Sequence, residues 1–299
     1  MKRRASGLVA PRTVGEWYRE IERSFARARL FYGHGTHDAG EEAAWLVCHV
    51  LRIPFELLSD ASSRPVAARP ARRLRRLADR RIRTRDPLAY VLGEAWLQHR
   101  RFHINRRVIV PRSHIAGLLF DDLAVWLPER GPKRVLDLCT GSGCLAILAA
   151  QAFPRTRVDA SDISSAALAV ARRNVAAYRL RRRVRIVRSD LFDALAGARY
   201  DLILCNPPYV PAGEMRRLPH EYRREPRLAL ASGRDGLDFV RRLLAEVRSR
   251  LTSRGVLVAE IGDGRRALER AFPRLPFTWF AASGGTDSVF AITREELPK

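Results

Sequence analysis

From residue 14 to about residue 90, apolar positions recur at three- and four-residue steps. Trp17, Ile21, Phe25 and Ala28 mark one amphipathic helix. A second begins near Asp38 or Gly40 and carries Ala43, Ala44, Val47, Val50 and Leu51. A third carries Leu74, Leu77 and Ile82 among arginines. No alternating strand pattern interrupts them, which predicts a small helical domain over residues 1–93. The pattern changes over 94–112, where RFHINRRVIVPR alternates and is β-branched. This predicts a β-hairpin linker with its turn at Asn105 and Arg106. A helix from His114 to about Leu127 opens a second domain over residues 113–299.

From Lys133 onward, strands alternate with helices. RVLDL, VDASD, VRIVRSD, YDLILC and GVLVAEIG read as strands. Leu145–Ala152, Ser164–Tyr178, Leu237–Leu251 and Arg265–Phe272 read as helices. FTWF and SVFAIT close the chain as two further strands. The order predicts an α/β domain with a mostly parallel sheet covered on both faces. The last two strands have no helix between them, so one is expected to run antiparallel.

Composition narrows the picture. Of 299 residues, 46% are hydrophobic, enough for a sizeable core, and no apolar run has the length that spans a bilayer. The basic N-terminus, MKRRASGLVAPRT, lacks a following apolar stretch and is read as a frayed tail, not a secretion signal. Cys48, Cys139, Cys144 and Cys205 show no CxxC spacing, so buried reduced thiols in a cytosolic protein are expected, and no metal. The net charge is +23, and the only lysines are Lys2, Lys133 and Lys299. Two explanations stand for that charge: an anionic partner such as nucleic acid, or a general arginine bias.

A strand, a glycine-rich turn and a helix form the nucleotide-binding start of doubly wound folds. Here the segment is VLDLCTGSGCLAI, with Gly141 and Gly143 allowing a tight turn and close approach of a ligand. The full GxGxxG of pyrophosphate binders is absent, which favours a ligand such as S-adenosylmethionine over NAD. Asp162 ends the next strand, where an acid accepts ribose hydroxyls; the plain alternative is a helix cap, which Ser164 can supply. Asp190 ends the third strand and is assigned to the adenine end, with Leu191 and Phe192 walling the ring. Its plain alternative is a solvated turn residue.

The fourth strand ends in Asn206, Pro207, Pro208 and Tyr209. Each proline restricts the residue before it to extended geometry and lacks an N–H. What remains is a stiff run of acceptors at the edge where open α/β sheets bind ligands. Such a run suits a planar amide or amino nitrogen, whose delocalised lone pair makes it a poor nucleophile. Two acceptors holding its N–H bonds orient the nitrogen toward an electrophilic methyl. Tyr209 can stack on the planar group or face a cationic sulfonium.

This constellation resembles the N(5)-glutamine methyltransferases, which modify translation release factors and one ribosomal protein. FYGHGTHDAGEEA at 31–43, RFHINRRVIVPRS at 101–113, VLDLCTGSGC at 135–144, NPPYVPAGEM at 206–215 and LPHEYRREPRLALASGRDGLD at 218–238 are similar to the ribosomal-protein branch. The release-factor branch typically has a third glycine where this chain has Cys139. The resemblance implies a seven-stranded, doubly wound, Rossmann-like class I methyltransferase domain behind a helical substrate-recognition domain and a hairpin. It implies S-adenosyl-L-methionine as cofactor, touched by Asp137, Cys139, Thr140, Gly141, Ser142, Gly143, Asp162, Asp190, Leu191, Phe192 and Asn206. It implies Asn206 to Tyr209 as the catalytic clamp, and a glutamine of the large-subunit ribosomal protein L-three as substrate, in the cytoplasm. Release-factor enzymes place an aromatic residue where this chain has Leu191, so either Phe192 fills that gap or the adenine is held less tightly.

Residues 210–234 are long for a loop and read as an ordered lid over the substrate channel. Glu225 is assigned either to the backbone near the clamp or to ordinary packing. Tyr32 and His34 are read as part of a turn bent by Gly33 and Gly35, with substrate contact as the alternative. Two arginine-rich segments, 69–85 and 179–188, are expected to contact ribosomal RNA if the charge is functional. The competing functions are an adenine methyltransferase using the same clamp, and a non-catalytic ribosome-assembly factor.

Overall fold

The computed structural model describes residues 13–120, 123–280 and 287–299; of the tail expected at residues 1–13, all but Thr13 lies outside them. The chain divides into two compact units, Met1–Leu92 and Gly93–Lys299.

The first unit contains α1 (Val14–Arg27), α2 (Ala39–Leu51), α3 (Ala68–Thr84) and the short α4 (Leu88–Leu92). A capping box starts α1: Thr13 Oγ1 accepts the Glu16 N–H at 3.2 Å, and Glu16 Oε2 accepts the Thr13 N–H at 2.8 Å. Asp38 caps α2 through the Glu41 N–H. Trp17, Ile21 and Phe25 face Leu46, Val47 and Leu74 in one core, as their spacing predicts.

The inner stripe of α3 differs from the expected one. Leu77 and Ile82 are half-buried, and the buried positions are Leu74, Ala78 and Arg81. Arg81 completes the stripe because α2 supplies a countercharge. Its Nε donates to Glu42 Oε2 at 2.9 Å and its Nη2 to Glu42 Oε1 at 3.1 Å, with a further bond to the Phe31 carbonyl. Pairing of this bidentate kind lets a guanidinium occupy a core position. Hydrophobic periodicity cannot reveal it.

In the second unit, β1 (Glu94–Leu97) and β2 (Arg100–His103) form a hairpin. The turn therefore falls at Gln98 and His99, not at Asn105 and Arg106 as expected. Both residues have positive φ, +49° and +57°, the twist that a two-residue hairpin turn requires. Asn105 instead makes a local turn, its side chain accepting the Arg107 N–H, and the β-branched run after it joins no ladder. The helix expected over 114–127 is shorter: α5 (Ile115–Leu118), then a single 3₁₀ turn at Leu123–Trp126, with 121–122 outside the described residues.

The remaining elements are β3 (Arg134–Leu138), α6 (Cys144–Ala152), β4 (Arg157–Asp162), α7 (Ser165–Ala177), β5 (Val184–Arg188), β6 (Tyr200–Cys205), α8 (Asp238–Arg250), β7 (Leu251–Glu260), α9 (Arg265–Ala271), β8 (Thr278–Phe280) and β9 (Val289–Thr293). They build the seven-stranded sheet in the order β5-β4-β3-β6-β7-β9-β8. Strands β3 to β7 are parallel to their neighbours, and β9 pairs antiparallel with both β7 and β8. Alternate residues feed opposite faces. Val135, Leu202, Leu204, Val256 and Val258 pack with α6, whereas Leu136, Leu138, Ile203, Leu257 and Ala259 pack with α8. The chain reverses its direction of progress across the sheet between β3 and β6, the position where doubly wound folds bind ligands.

The Arg81–Glu42 pair yields a test. Removing one partner leaves a buried charge unpaired, so Glu42→Ala should destabilise the first unit by about 3–5 kcal/mol. Replacing both with Leu and Met should recover most of that loss in urea unfolding. An equal loss in the single and double variants would mean that the pair is not what the core depends on.

Candidate functional site

The site is built at the carboxyl ends of β3, β4 and β6. The turn after β3 is held from below by Asp137, which is 1% exposed. Its Oδ2 accepts the Thr140 hydroxyl and, at 2.9 Å, the Ala146 N–H. Its Oδ1 is buried without a hydrogen-bond partner among the described residues. Burial pushes this carboxyl up to about 7, against the pull of Thr140 and Ala146.

The two glycines of the turn have different jobs. Gly143 has φ +80°, and a Cβ there would lie 3.2 Å from Ala171 Cβ and 3.3 Å from its Cα, so its bareness lets the turn pack on α7. Gly141 has φ +54°, and a Cβ there would meet no atom closer than 4.0 Å, so its outer face is open. Cys139 also takes a left-handed φ, +60°, and its thiol neighbours that of Cys205 at the end of β6. The Ser142 carbonyl accepts from Asn174 Nδ2 at 2.8 Å, and the Thr140 N–H reaches the Ser161 carbonyl at 2.9 Å.

Asp162 joins the turn directly. Its Oδ2 accepts the Gly141 N–H at 2.9 Å and its Oδ1 the Ser164 N–H at 2.8 Å. Burial raises its pKa, and these N–H donors oppose the rise. Each oxygen keeps a second lone pair. Ser164 takes the helix-cap role expected of it, accepting the Ala167 N–H.

The residues after β5 are placed differently from one another. Asp190 is partly exposed and pairs with Arg242 at 3.0 Å. Leu191 is buried with φ +41°. Phe192 is fully buried in the α8-side core, with the Arg250 guanidinium 5.5 Å from its ring centroid. An enclosed ring of this kind is not free to cover adenine, which corrects the expectation that Phe192 fills that place.

Asn206, Pro208 and Tyr209 are half-buried and Pro207 is buried. Two glycines brace Tyr209. A Cβ on Gly262 (φ +53°) would lie 2.6 Å from the Tyr209 ring, and one on Gly236 (φ +84°) 2.3 Å from its carbonyl oxygen. Burial, then the nearby Glu260 carboxylate, raises the Tyr209 hydroxyl, so it stays protonated. Glu260 ends β7 and accepts Ser113 Oγ at 2.6 Å and the His114 N–H at 3.0 Å; burial raises its pKa too.

Residues 210–234 are tied down by backbone bonds, Val210 N–H to the Leu230 carbonyl at 2.7 Å and Ala212 N–H to the Gly233 carbonyl at 2.8 Å. Glu225 does bind backbone, the Val110 N–H at 2.8 Å, and it also grips Arg112 with two bonds of 2.7 Å. Burial alone would lower the Arg112 pKa, but the Glu225 carboxylate overrides it and raises it. The Arg112 guanidinium stacks 5.0 Å from the Tyr222 ring centroid. Sequence reasoning gave no role to Arg112, Ser113, Gly236, Glu260 or Gly262. The glycines carried a signal, since IGDG follows a strand and GRDG precedes a helix, yet only packing shows that both serve Tyr209.

Residues 121–233 match the Methyltransferase small domain, and residues 19–93 match the PrmC N-terminal domain. With the doubly wound sheet and the turn at its switch point, these matches define the second unit as a methyltransferase domain. The "Ribosomal protein uL3 glutamine methyltransferase" of Bordetella pertussis is 51% identical over 273 residues, spanning 90% of this chain and 91% of that protein. Proteins of the same name from Neisseria meningitidis serogroup A and Burkholderia pseudomallei are each 44% identical, over 95% and 96% of this chain and 94% and 96% of theirs. The chain belongs to the ribosomal protein uL3 glutamine methyltransferase family.

The raised Asp137 carboxyl sets a pH dependence. Its ordinary value is 3.8, so below about pH 4 it is protonated both folded and unfolded. Between about pH 4 and 7 the folded protein holds a proton that the unfolded chain releases, and stability falls as pH rises. The loss is complete above about pH 7 and is on the order of 4 kcal/mol. Asp137→Asn should flatten this decline in urea midpoints across that range; an unchanged slope would assign the dependence to other groups.

Proposed function

We propose that this chain transfers a methyl group from S-adenosyl-L-methionine to the side-chain amide nitrogen of a glutamine in ribosomal protein uL3. The observation that carries the reading is the Asn206–Tyr209 run, anchored by Gly236 and Gly262 at the switch-point edge that also holds the glycine turn and Asp162. The names of the relatives support the substrate. Their matches extend through both units, which favours a protein glutamine over the adenine of a nucleic acid.

The residues fit the cofactor. The open face of Gly141 admits a ligand against the backbone, Asp162 keeps lone pairs for two ribose hydroxyls, and the unpartnered Asp137 Oδ1 leaves a polar group beneath the turn. Thr140 and Ser142, both nearly buried, shape the turn. When bound, S-adenosylmethionine supplies an electrophilic methyl on a sulfonium. The chain's part is orientation. The Asn206 side-chain oxygen and a proline carbonyl accept the two amide N–H bonds, hold the nitrogen out of conjugation and aim its lone pair. Alignment of this kind accounts for about 7–11 kcal/mol in well-oriented systems. Tyr209, neutral and wedged against Gly262, acts as a wall and not as a base. As the N–C bond forms and the S–CH3 bond breaks, S-adenosylhomocysteine is the leaving group and the amide proton passes to solvent. The Arg112–Glu225 pair positions the segment over the site. The first unit serves substrate recognition, in the cytoplasm, and exposed arginines contact ribosomal RNA.

Asn206→Ala should reduce kcat by at least about a hundredfold, with little change in cofactor affinity, because its contact is made mainly in the transition state. Turnover near that of the wild type on uL3 would refute the clamp. Asp162→Ala should weaken S-adenosylhomocysteine by about 1.5–3 kcal/mol, the range for hydrogen bonds to a charged group. Calorimetry showing equal affinity would remove Asp162 from the cofactor site.

A further inference from the structure

The +23 charge is unevenly satisfied. In the second unit, several exposed arginines meet carboxylates: Arg134 and Arg185 share Asp159, Arg241 pairs with Asp235, Arg242 with Asp190, and Arg265 with Glu269. Arg183, in the second arginine-rich segment, is spent on the Ala150 and Pro154 carbonyls. Helix α3 is different. With Leu74, Ala78 and Arg81 turned inward, Arg69, Arg72, Arg73, Arg76, Arg80 and Arg83 fall on the opposite, exposed face. Among the described residues no carboxylate pairs with any of them. Arg73 contacts the ring of His49, which is no carboxylate, and Asp79 is the sole acid on the helix.

Arg69 and Arg83 are fourteen positions apart, so the row runs about 21 Å, nearly four helical turns at 5.4 Å each. A depression of about 510 Å³ lies along it, lined by Arg72, Arg75, Arg76, Asp79, Ile82 and Arg83. Arginine bias would scatter charge over the surface but would not strip one face of counterions. Rows of unpaired guanidinium groups at turn spacing suit a chain of phosphates, each taking two N–H donors.

We propose that the outer face of α3 binds the phosphate backbone of RNA. The surface belongs to the first unit and the methyl-transfer residues to the second, so the proposal stands independently of the catalytic reading.

The test uses the full chain, a fluorescein-labelled RNA hairpin and a salt series. The variant is Arg72→Gln, Arg76→Gln and Arg80→Gln together. The control is Arg172→Gln, Arg181→Gln and Arg182→Gln, three exposed arginines of the second unit with the same change in net charge. The α3 variant should bind at least about tenfold more weakly near 0.1 M salt, with a log–log salt slope shallower by about 2 to 3. The control should keep the wild-type slope, and both should keep the wild-type circular dichroism. Equal losses in the two variants would show that net charge alone attracts RNA and overturn the proposal. So would an α3 variant with wild-type affinity for RNA. Loss of binding to isolated uL3 with RNA binding retained would make the face a protein surface and overturn it too.

Discussion

The site depends on one steric constraint: Tyr209 is held where it is because two glycines have no side chains. Its ring lies where a Gly262 Cβ would be, and its carbonyl lies against Gly236. Both glycines have left-handed φ values, which a larger residue adopts at a cost of roughly 1–2 kcal/mol before any clash. Asn206, Pro207 and Pro208 run from a buried strand into this wedge. With one end fixed in the sheet and the other against bare backbone, a segment lacking two N–H groups has little room to reorient. The direction of its acceptors is therefore a property of the fold.

Around that wedge the polar groups are satisfied in chains. Asp162 and Asp137 use backbone N–H groups to hold the turn, and Glu260 uses Ser113 and His114 to hold the start of α5. Asp137, Asp162 and Glu260 are all raised by burial. Buried acids held by neutral donors favour rigidity over charge. That suits a reaction in which the chain positions a nitrogen and removes no proton from it beforehand.

Much of this was legible in the sequence where a single periodicity governed a segment. The alternation of buried strands and helices after Lys133 predicted the sheet, and the missing helix between the last two strands predicted its antiparallel edge. The glycine turn, Asp162 and the NPPY run were visible as residues at strand ends. Reading failed where a residue's role is set by a distant partner. Arg81 looked polar until Glu42 neutralised it. Gln98 and His99 carry no turn signature, and only the pairing of β1 with β2 demands their backbone shape. Phe192 looked available because sequence order says nothing about which way a ring turns after a strand. Gly236 and Gly262 are 26 positions apart and converge on a third residue.

The position of β9 carries a consequence for synthesis of the chain. β9 follows β8 in the chain, yet it lies between β7 and β8, and among the described residues it is the only strand that β8 pairs with. While the chain is being made, β7 presents an open edge and β8 has no ladder. Open edges of this kind recruit other strands. The helical unit and the first five sheet strands can be assembled by then, since domains form in the order in which they emerge. The sheet closes only once β9 has been made. Deleting Val289–Thr293 would therefore act as an assembly defect, since it takes the antiparallel partner from both β7 and β8.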